Sequence, residues 1–289
     1  MKGRQQGVAL ITVLLVMSLA LLLVGSLLRS HRLAVQSSAQ QLHQMQLRQL
    51  GLSGETLARQ YLQNPQWRES KSIHLGQEWG QRRGAFDIDG GRVQIRIEDL
   101  AGRFNLNQLL KAGQVDQITL GRWARLLQTL NLKAPDLTSL RPPDGPGVLA
   151  DVSRLRLLPG VDAQWLARIK PWIALLPKDA TLNVNTASTT VLAALEGMTP
   201  ASAQALVAQR PEQGFSSVQA FTQAPAIEGL GVVSQGLGLS SRWFRVTVDV
   251  ELGQRRLRLV SDFERTLNNG RLRLLQRSFV APTESETAP

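Results

Sequence analysis

The sequence predicts an α+β fold: a long N-terminal helix, membrane-spanning in its first part, packs on an antiparallel sheet into which a large α-helical domain is inserted. Three observations predict it. Val8–Leu28 is apolar except for Thr12, Ser18, Gly25 and Ser26, and no proline interrupts the chain before Pro65. Strand patterns occupy two separate stretches, residues 85–97 and 243–279. Between them, residues 106–223 are mainly helical in pattern.

Twenty-one helical residues span roughly 30 Å, the thickness of a bilayer core. Residues 1–7 (MKGRQQG) carry Lys2 and Arg4, a cationic flank expected to stay in the cytoplasm while the bulk is exported. A cleaved secretory signal fits less well, because the apolar run exceeds the usual length and no A-x-A site precedes Arg29. The chain stays helix-compatible to Leu62, with Val35, Leu42, Leu50, Leu57 and Tyr61 as a sparse apolar stripe. One helix over Val8–Leu62 is roughly 80 Å long. Such a helix needs a partner along its length.

Residues 63–83 read as a connection. Ala85–Asp89 and Arg92–Ile97 form a hairpin about Asp89-Gly90-Gly91, and Glu98–Leu110 leaves the sheet. The helical block breaks at residues 142–146 and at Pro159-Gly160. Trp243–Leu252 places Phe244, Val246, Val248 and Val250 on one face; turns at Gly253-Gln254 and Asn268-Asn269-Gly270 lead to Arg255–Arg265 and Arg271–Phe279. Neither strand-rich piece is a stable sheet alone, so the two are expected to form one. The organisation is therefore a leader (1–7), the helix (8–62, membrane span 8–28), a first α+β part (63–105), an inserted helical domain (106–223), the returning sheet (224–280) and a disordered tail (281–289).

The composition narrows the chemistry. There is no cysteine, which excludes disulfides, thiolate metal sites and cysteine nucleophiles. The histidines are His31, His43 and His74, so a Ser–His–Asp site in the later part is unavailable. The net charge of +11 is scattered rather than run together, as on a solvated surface. Asp87 and Asp89 before Gly90-Gly91 suit a tight turn, with no spaced glutamate to complete a calcium loop. Gly229-Leu230-Gly231 and Gly236-Leu237-Gly238 follow no βαβ strand. Trp123, Trp165, Trp172 and Trp243 sit among apolar neighbours, as core anchors do. The sequence indicates neither an enzyme nor a cofactor.

Asn183-Val184-Asn185-Thr186-Ala187 opens a helix-hairpin-helix-like unit: a helix to Leu195, Gly197-Met198-Thr199-Pro200, then Ala201–Gln209. Asn185 or Thr186 is expected to cap the first helix. Leu155–Leu176 looks like a second unit, with Arg154, Arg156, Arg168 and Lys170 beside it. A membrane-tethered DNA-binding or uptake protein is the alternative function. Phosphate contacts need several cations, and Arg210 is the only one between Asn183 and Gln223, so nucleic acid is not expected.

Arg4-Gln5-Gln6-Gly7 before Val8-Ala9-Leu10-Ile11-Thr12 resembles a type IV pilin-like signal. The resemblance implies cleavage by a prepilin peptidase between Gly7 and Val8, methylation of Val8, and retention of the helix. Relatives carry Glu at the fifth mature position, where this chain has Thr12. The type II secretion minor pseudopilin of the K class (GspK family) typically lacks that Glu. IEDLAGRFNLN (97–107), DVSRLRLLPG (151–160) and LNVNTA (182–187) extend the resemblance to that family along the chain. It implies a pilin-like fold, tip specification by Thr12, and a place at the tip of a periplasmic pseudopilus that nucleates assembly. The implied partners are the I and J minor pseudopilins, the major pseudopilin, the inner-membrane assembly platform, and membrane lipid through residues 8–28. The implied location is the inner membrane, single-pass, N-terminus cytoplasmic and bulk periplasmic. Family members also have an acidic, WxDxD-like segment linked to calcium; here Leu137–Ala150 is shorter, with Asp136, Asp144 and Asp151 nearby.

Overall fold

The structure, a computed structural model, describes residues 4–64, 70–81, 85–88, 90–110, 116–137, 149–266 and 270–280, with side chains from residue 10 onward. The expected tail, Asp89, Asn268, Asn269 and the break at 142–146 lie outside the described residues. The chain divides into two compact units, Met1–Leu50 and Gly51–Pro289.

Helix α1 (Arg4–Leu62) opens the chain. It begins before the expected Val8, because Arg4, Gln5 and Gln6 are good helix formers. Then come α2 (Glu78–Gln81), β1 (Ala85–Ile88), β2 (Gly91–Asp99), β3 (Phe104–Asn105), α3 (Gln117–Thr129), α4 (Ala163–Ile169), β4 (Ile173–Ala174), β5 (Leu182–Asn183), α5 (Thr189–Leu192), α6 (Pro200–Ala208), α7 (Val218–Thr222), β6 (Leu237–Gly238), β7 (Trp243–Leu252), β8 (Arg255–Arg265) and β9 (Leu272–Val280).

One antiparallel sheet has the order β1-β2-β7-β8-β9, so strands from both ends of the second unit share it, as expected. Alternation sets its faces. Val93 on β2, Phe244, Val246, Val248 and Val250 on β7, and Leu259 and Phe263 on β8 are all buried on one face. The other face carries Arg96, Arg245, Asp249, Arg258 and Asp262 in ion pairs of 2.6–3.1 Å. β2 runs two residues past Ile97, to Asp99.

The Gly51–Leu62 end of α1 lies on the buried face. A Cβ on Gly54 would sit 2.6 Å from Val248 Cγ1 and 3.2 Å from Val93 Cγ1, so only glycine allows this approach. Along β8 the helix makes three rungs. Gly51 lies over Leu259, Glu55 accepts from Ser261 Oγ (2.5 Å), and the Arg59 guanidinium stacks 5.7 Å from the Phe263 ring centre. Four helical residues advance about 6 Å and two strand residues about 7 Å, which keeps the rungs in step. The next strand answers the middle rung: Arg277 on β9 donates from Nε and Nη2 to the buried Glu55 carboxylate at 2.8 and 2.5 Å.

The connection expected over 63–83 is packed structure where it is described. Ile73 and Trp79 are fully buried, and Trp79 meets Phe244 edge-on at 5.6 Å. The Gln77 amide holds the segment by accepting from Trp79 Nε1 and donating to Ser72 O.

The inserted block is built from short helices, 3₁₀ turns and the parallel pairs β3–β4 and β5–β6, not long helices. One core gathers Leu106, Leu109, Trp123, Leu126, Trp165 and Ile169; another gathers Val184, Leu192, Leu206, Phe221, Ile227 and Leu237. Residues 224–238 pack with this second core, and the sheet resumes at Trp243.

Gly51→Ala meets only ordinary contacts (3.6 Å) and should leave stability unchanged or raise it by up to ~1 kcal/mol through helix propensity. Gly54→Ala should instead cost about 1–3 kcal/mol from the clash with Val248. Thermal unfolding of the micelle-embedded full chain distinguishes them; equal melting temperatures would refute the close approach.

Candidate assembly surface

From Leu10 to Leu28 the apolar side chains of α1 are 54–71% exposed, and no charged residue lies between Arg4 and Arg29. The segment's mean hydropathy reaches 2.7, and α1 is the one helix among the described residues long and apolar enough to cross a membrane. Its hydroxyls are answered inside the helix: Ser18 Oγ donates to Leu14 O at 2.8 Å and Ser26 Oγ to Leu23 O at 2.9 Å. That is what an apolar surrounding requires. Thr12 is exposed on this surface. Gly7 and Val8 lie within the helical backbone, and their side chains lie outside the described residues. The only acidic residue in α1 is Glu55, which is committed to the sheet. The membrane segment therefore offers no carboxylate to a neighbouring chain.

The globular unit is fastened by a buried polar network. Asp99 ends β2 and turns the chain out of the sheet, accepting from Ala101 N (2.8 Å) as the cap of a 3₁₀ turn. Its other oxygen accepts from Asn183 Nδ2 (2.8 Å) and Thr186 Oγ1 (2.7 Å), 84 and 87 residues away. Burial pushes the Asp99 carboxyl above its ordinary value, against hydrogen bonds from Ser241, Thr186, Ala101 N and Asn183. Gly102 is needed beneath it, because a Cβ there would lie 2.8 Å from Thr186 Oγ1.

Four asparagines complete the network. Asn105 Oδ1 accepts from Leu176 N, and its amide donates to Pro177 O. Asn107 pairs with Leu149 through Oδ1 and Nδ2 as a strand neighbour would. Asn183 donates to Ile73 O as well as to Asp99. Asn185 pairs in the same way with Phe215, accepting its N–H at 2.7 Å. Neither Asn185 nor Thr186 caps α5, contrary to expectation; Ser188 does, accepting from Val191 N. The two expected residues are drawn inward by buried partners that local sequence does not display.

The helix-hairpin-helix geometry opposes nucleic acid. A Cβ on Gly197 would be 2.0 Å from Leu230 O, so the hairpin that would meet a phosphate is covered by the chain itself. Glu196 beside it accepts from Arg122 Nε and Nη2 (3.0 and 2.9 Å), from Arg125 Nη2 (3.0 Å) and from Val233 N. Arg210 points inward, donating to Ala187 O at 2.6 Å, and burial lowers its pKa to about 10.

For metals, the described residues contain no group of three or more ligating side chains. Asp151 caps the 3₁₀ turn Val152–Leu157 by accepting from Ser153 N, and Asp144 lies outside the described residues.

An exposed apolar helix running on to a sheet, with a block of short helices inserted in that sheet, defines a pilin-like assembly subunit. The family model "Type II secretion system (T2SS), protein K" matches residues 182–240, which span the LNVNTA motif and the second core. Type II secretion system protein K of Pseudomonas aeruginosa is 36% identical, covering 96% of this chain and 93% of its own. The Klebsiella pneumoniae protein of that name is 30% identical over 89% and 91%. A chain of the crystal structure of the GspK–GspI–GspJ complex from enterotoxigenic Escherichia coli shares the fold, with a TM-score of 0.70 and 22% identity over 86% of this chain and all of its own. The chain belongs to the type II secretion system protein K family, the minor pseudopilins of the K class.

Glu196 illustrates how the block responds to acid. Burial raises its pKa, but the Arg122 hydrogen bond and charge, together with backbone N–H groups including that of Val233, outweigh this and hold it below the ordinary value. Its contribution is therefore present above the unfolded value and lost as pH falls through the folded one. Glu196→Gln should cost about 2–3 kcal/mol at neutral pH by stranding buried Arg122. Below the folded value the variant and the parent should unfold alike. A constant gap across the titration would overturn this account.

Proposed function

We propose that this chain is inserted with residues 1–7 cytoplasmic, cut between Gly7 and Val8, methylated at Val8, and held in the inner membrane by residues 8–28 with its bulk in the periplasm. It then joins the I and J minor pseudopilins at the pseudopilus tip and nucleates addition of the major pseudopilin. The observation that carries this reading is the exposed, acid-free apolar surface of α1. A filament subunit pairs its fifth-residue carboxylate with a neighbour's amine; Thr12 supplies no charge for that pair. That supports a subunit with none of its kind above it. The inserted block broadens the globular part, as suits a cap. The prepilin peptidase and the assembly platform act on the same helix, and the role requires no bond-making chemistry by this chain.

Intact mass of the membrane-extracted protein should show loss of residues 1–7 and gain of one methyl group. A chain beginning beyond Leu28 would instead mean an ordinary signal peptide. Thr12→Glu should be processed normally yet recover several-fold less I and J subunit on affinity purification. Unchanged recovery would remove Thr12 from tip specification.

A further inference from the structure

Between Arg4 and Arg48 the sequence of α1 holds two charged residues, Arg29 and Arg32. Both are exposed, and neither has a hydrogen-bond or ion-pair partner among the described residues. The helix cannot supply one. Its only acid, Glu55, stands about 35 Å further along and is committed to Ser261 and Arg277. Two like charges three residues apart lie on one face of a helix, where they repel unless something negative meets them. What answers them must come from outside α1.

Their depth points to the partner. The apolar run ends at Leu28, so at the helical rise Arg29 and Arg32 stand about 1.5 and 6 Å beyond the hydrocarbon edge. A bilayer of about 40–45 Å with a core of about 30 Å leaves about 5–8 Å for each headgroup layer, and both arginines fall inside it. Helical side chains lean toward the helix N-terminus, here back toward the membrane, so neither guanidinium is carried clear of the phosphates. A guanidinium binds a phosphate through two parallel N–H···O bonds. From Val8 to Arg29 the helix rises about 32 Å, so phosphates that hold the arginines in one headgroup layer leave the Gly7–Val8 bond at the other.

We propose that Arg29 and Arg32 bind the phosphates of anionic glycerophospholipids and so set the depth of α1, holding the Gly7–Val8 bond level with the opposite membrane face. The proposal rests on the membrane reading of residues 8–28 and names the lipid chemistry and the residues that fix the span. The two arginines are positioning residues, acting on the scissile bond through the length of the helix. Without them the next apolar residues, Leu33, Ala34 and Val35, are free to follow the span inward by about one turn. Phosphate is favoured over a carboxylate of a neighbouring helix because it is present at this depth all round α1, whichever way the helix is turned.

The full-length chain is compared with Arg29→Gln/Arg32→Gln and with Arg29→Lys/Arg32→Lys, in membranes containing phosphatidylglycerol and in vesicles of phosphatidylcholine alone. Native mass spectrometry of the detergent-extracted chain should show phosphatidylglycerol retained by the parent and the lysine variant. The glutamine variant should retain more than tenfold less, at about fivefold per lost cation. Depth is read with an impermeant maleimide at single cysteines replacing Ser26, Ser30 or Ala34, since the native chain has no cysteine. In the parent, labelling should begin at position 30. In the glutamine variant it should begin at 34 or beyond, with cleavage after Gly7 by a co-expressed prepilin peptidase several-fold slower. Retention that ignores headgroup charge, a labelling boundary that stays in place, or a boundary set by co-expressed I and J subunits and not by the lipid would each overturn the proposal and leave the anchor standing. Release of the parent chain by an alkaline carbonate wash would sink the anchor itself.

Discussion

A side-chain amide sealed from water must have both its oxygen and its N–H groups answered, at about 1–3 kcal/mol for each group left over. Asn105, Asn107, Asn183 and Asn185 meet that demand by standing in for backbone peptides opposite Leu176, Leu149, Ile73 and Phe215. Asp99, the last residue of a sheet strand, accepts from Asn183 and from Thr186 and so ties that part of the block to the sheet. Moving the inserted block relative to the sheet would strand several of these groups at once. The second core of the block is thus fastened to the sheet by geometry-sensitive bonds, where apolar contact alone would let it slide.

Helix α1 solves two solvation problems with one backbone. Over Leu10–Leu28 the residues are apolar all round, and the hydroxyls turn back on the helix. Over Gly51–Leu62 burial falls on one side only, at Gly51, Gly54, Glu55, Ala58 and Leu62. The small residues bring the axis close to the sheet, and the single acid is placed where Ser261 and Arg277 converge. Cationic surplus elsewhere is similarly absorbed: Arg96, Arg245 and Arg258 share Asp249 and Asp262, and Arg122 and Arg125 share Glu196. A net charge of +11 therefore says little about a polyanionic partner.

Features with a local cause were legible in the sequence. The meander follows from period-two alternation and two tight turns, and its strands match the reading to within a residue. The long helix follows from an apolar run without proline. The asparagine roles were not legible, because their partners lie 30 to 110 residues away. Ile73 and Trp79 form no period, so a packed segment read as a connection. Glu55 did carry a signal, as the lone acid of a long helix beside Gly51, Gly54 and Ala58. Gly7, Val8 and Thr12 came from family resemblance, since nothing in helix physics alone singles out a peptide bond for cleavage.

The sheet's central pairing, β2 with β7, joins residues 91–99 to residues 244–252. Closing a loop of roughly 150 residues is entropically slow, and the contact order is high. The meander β7–β9 can form locally, but until the C-terminal strands arrive the glycine-lined face of α1 has only β2, with Val93 beneath Gly54, to pack on. Under the topology proposed above, those strands are the last to leave the membrane. A truncated or stalled product keeps its anchor yet lacks the surface on which α1 closes. On that proposal, completing export and closing the sheet on α1 become one event, set by the order of the strands.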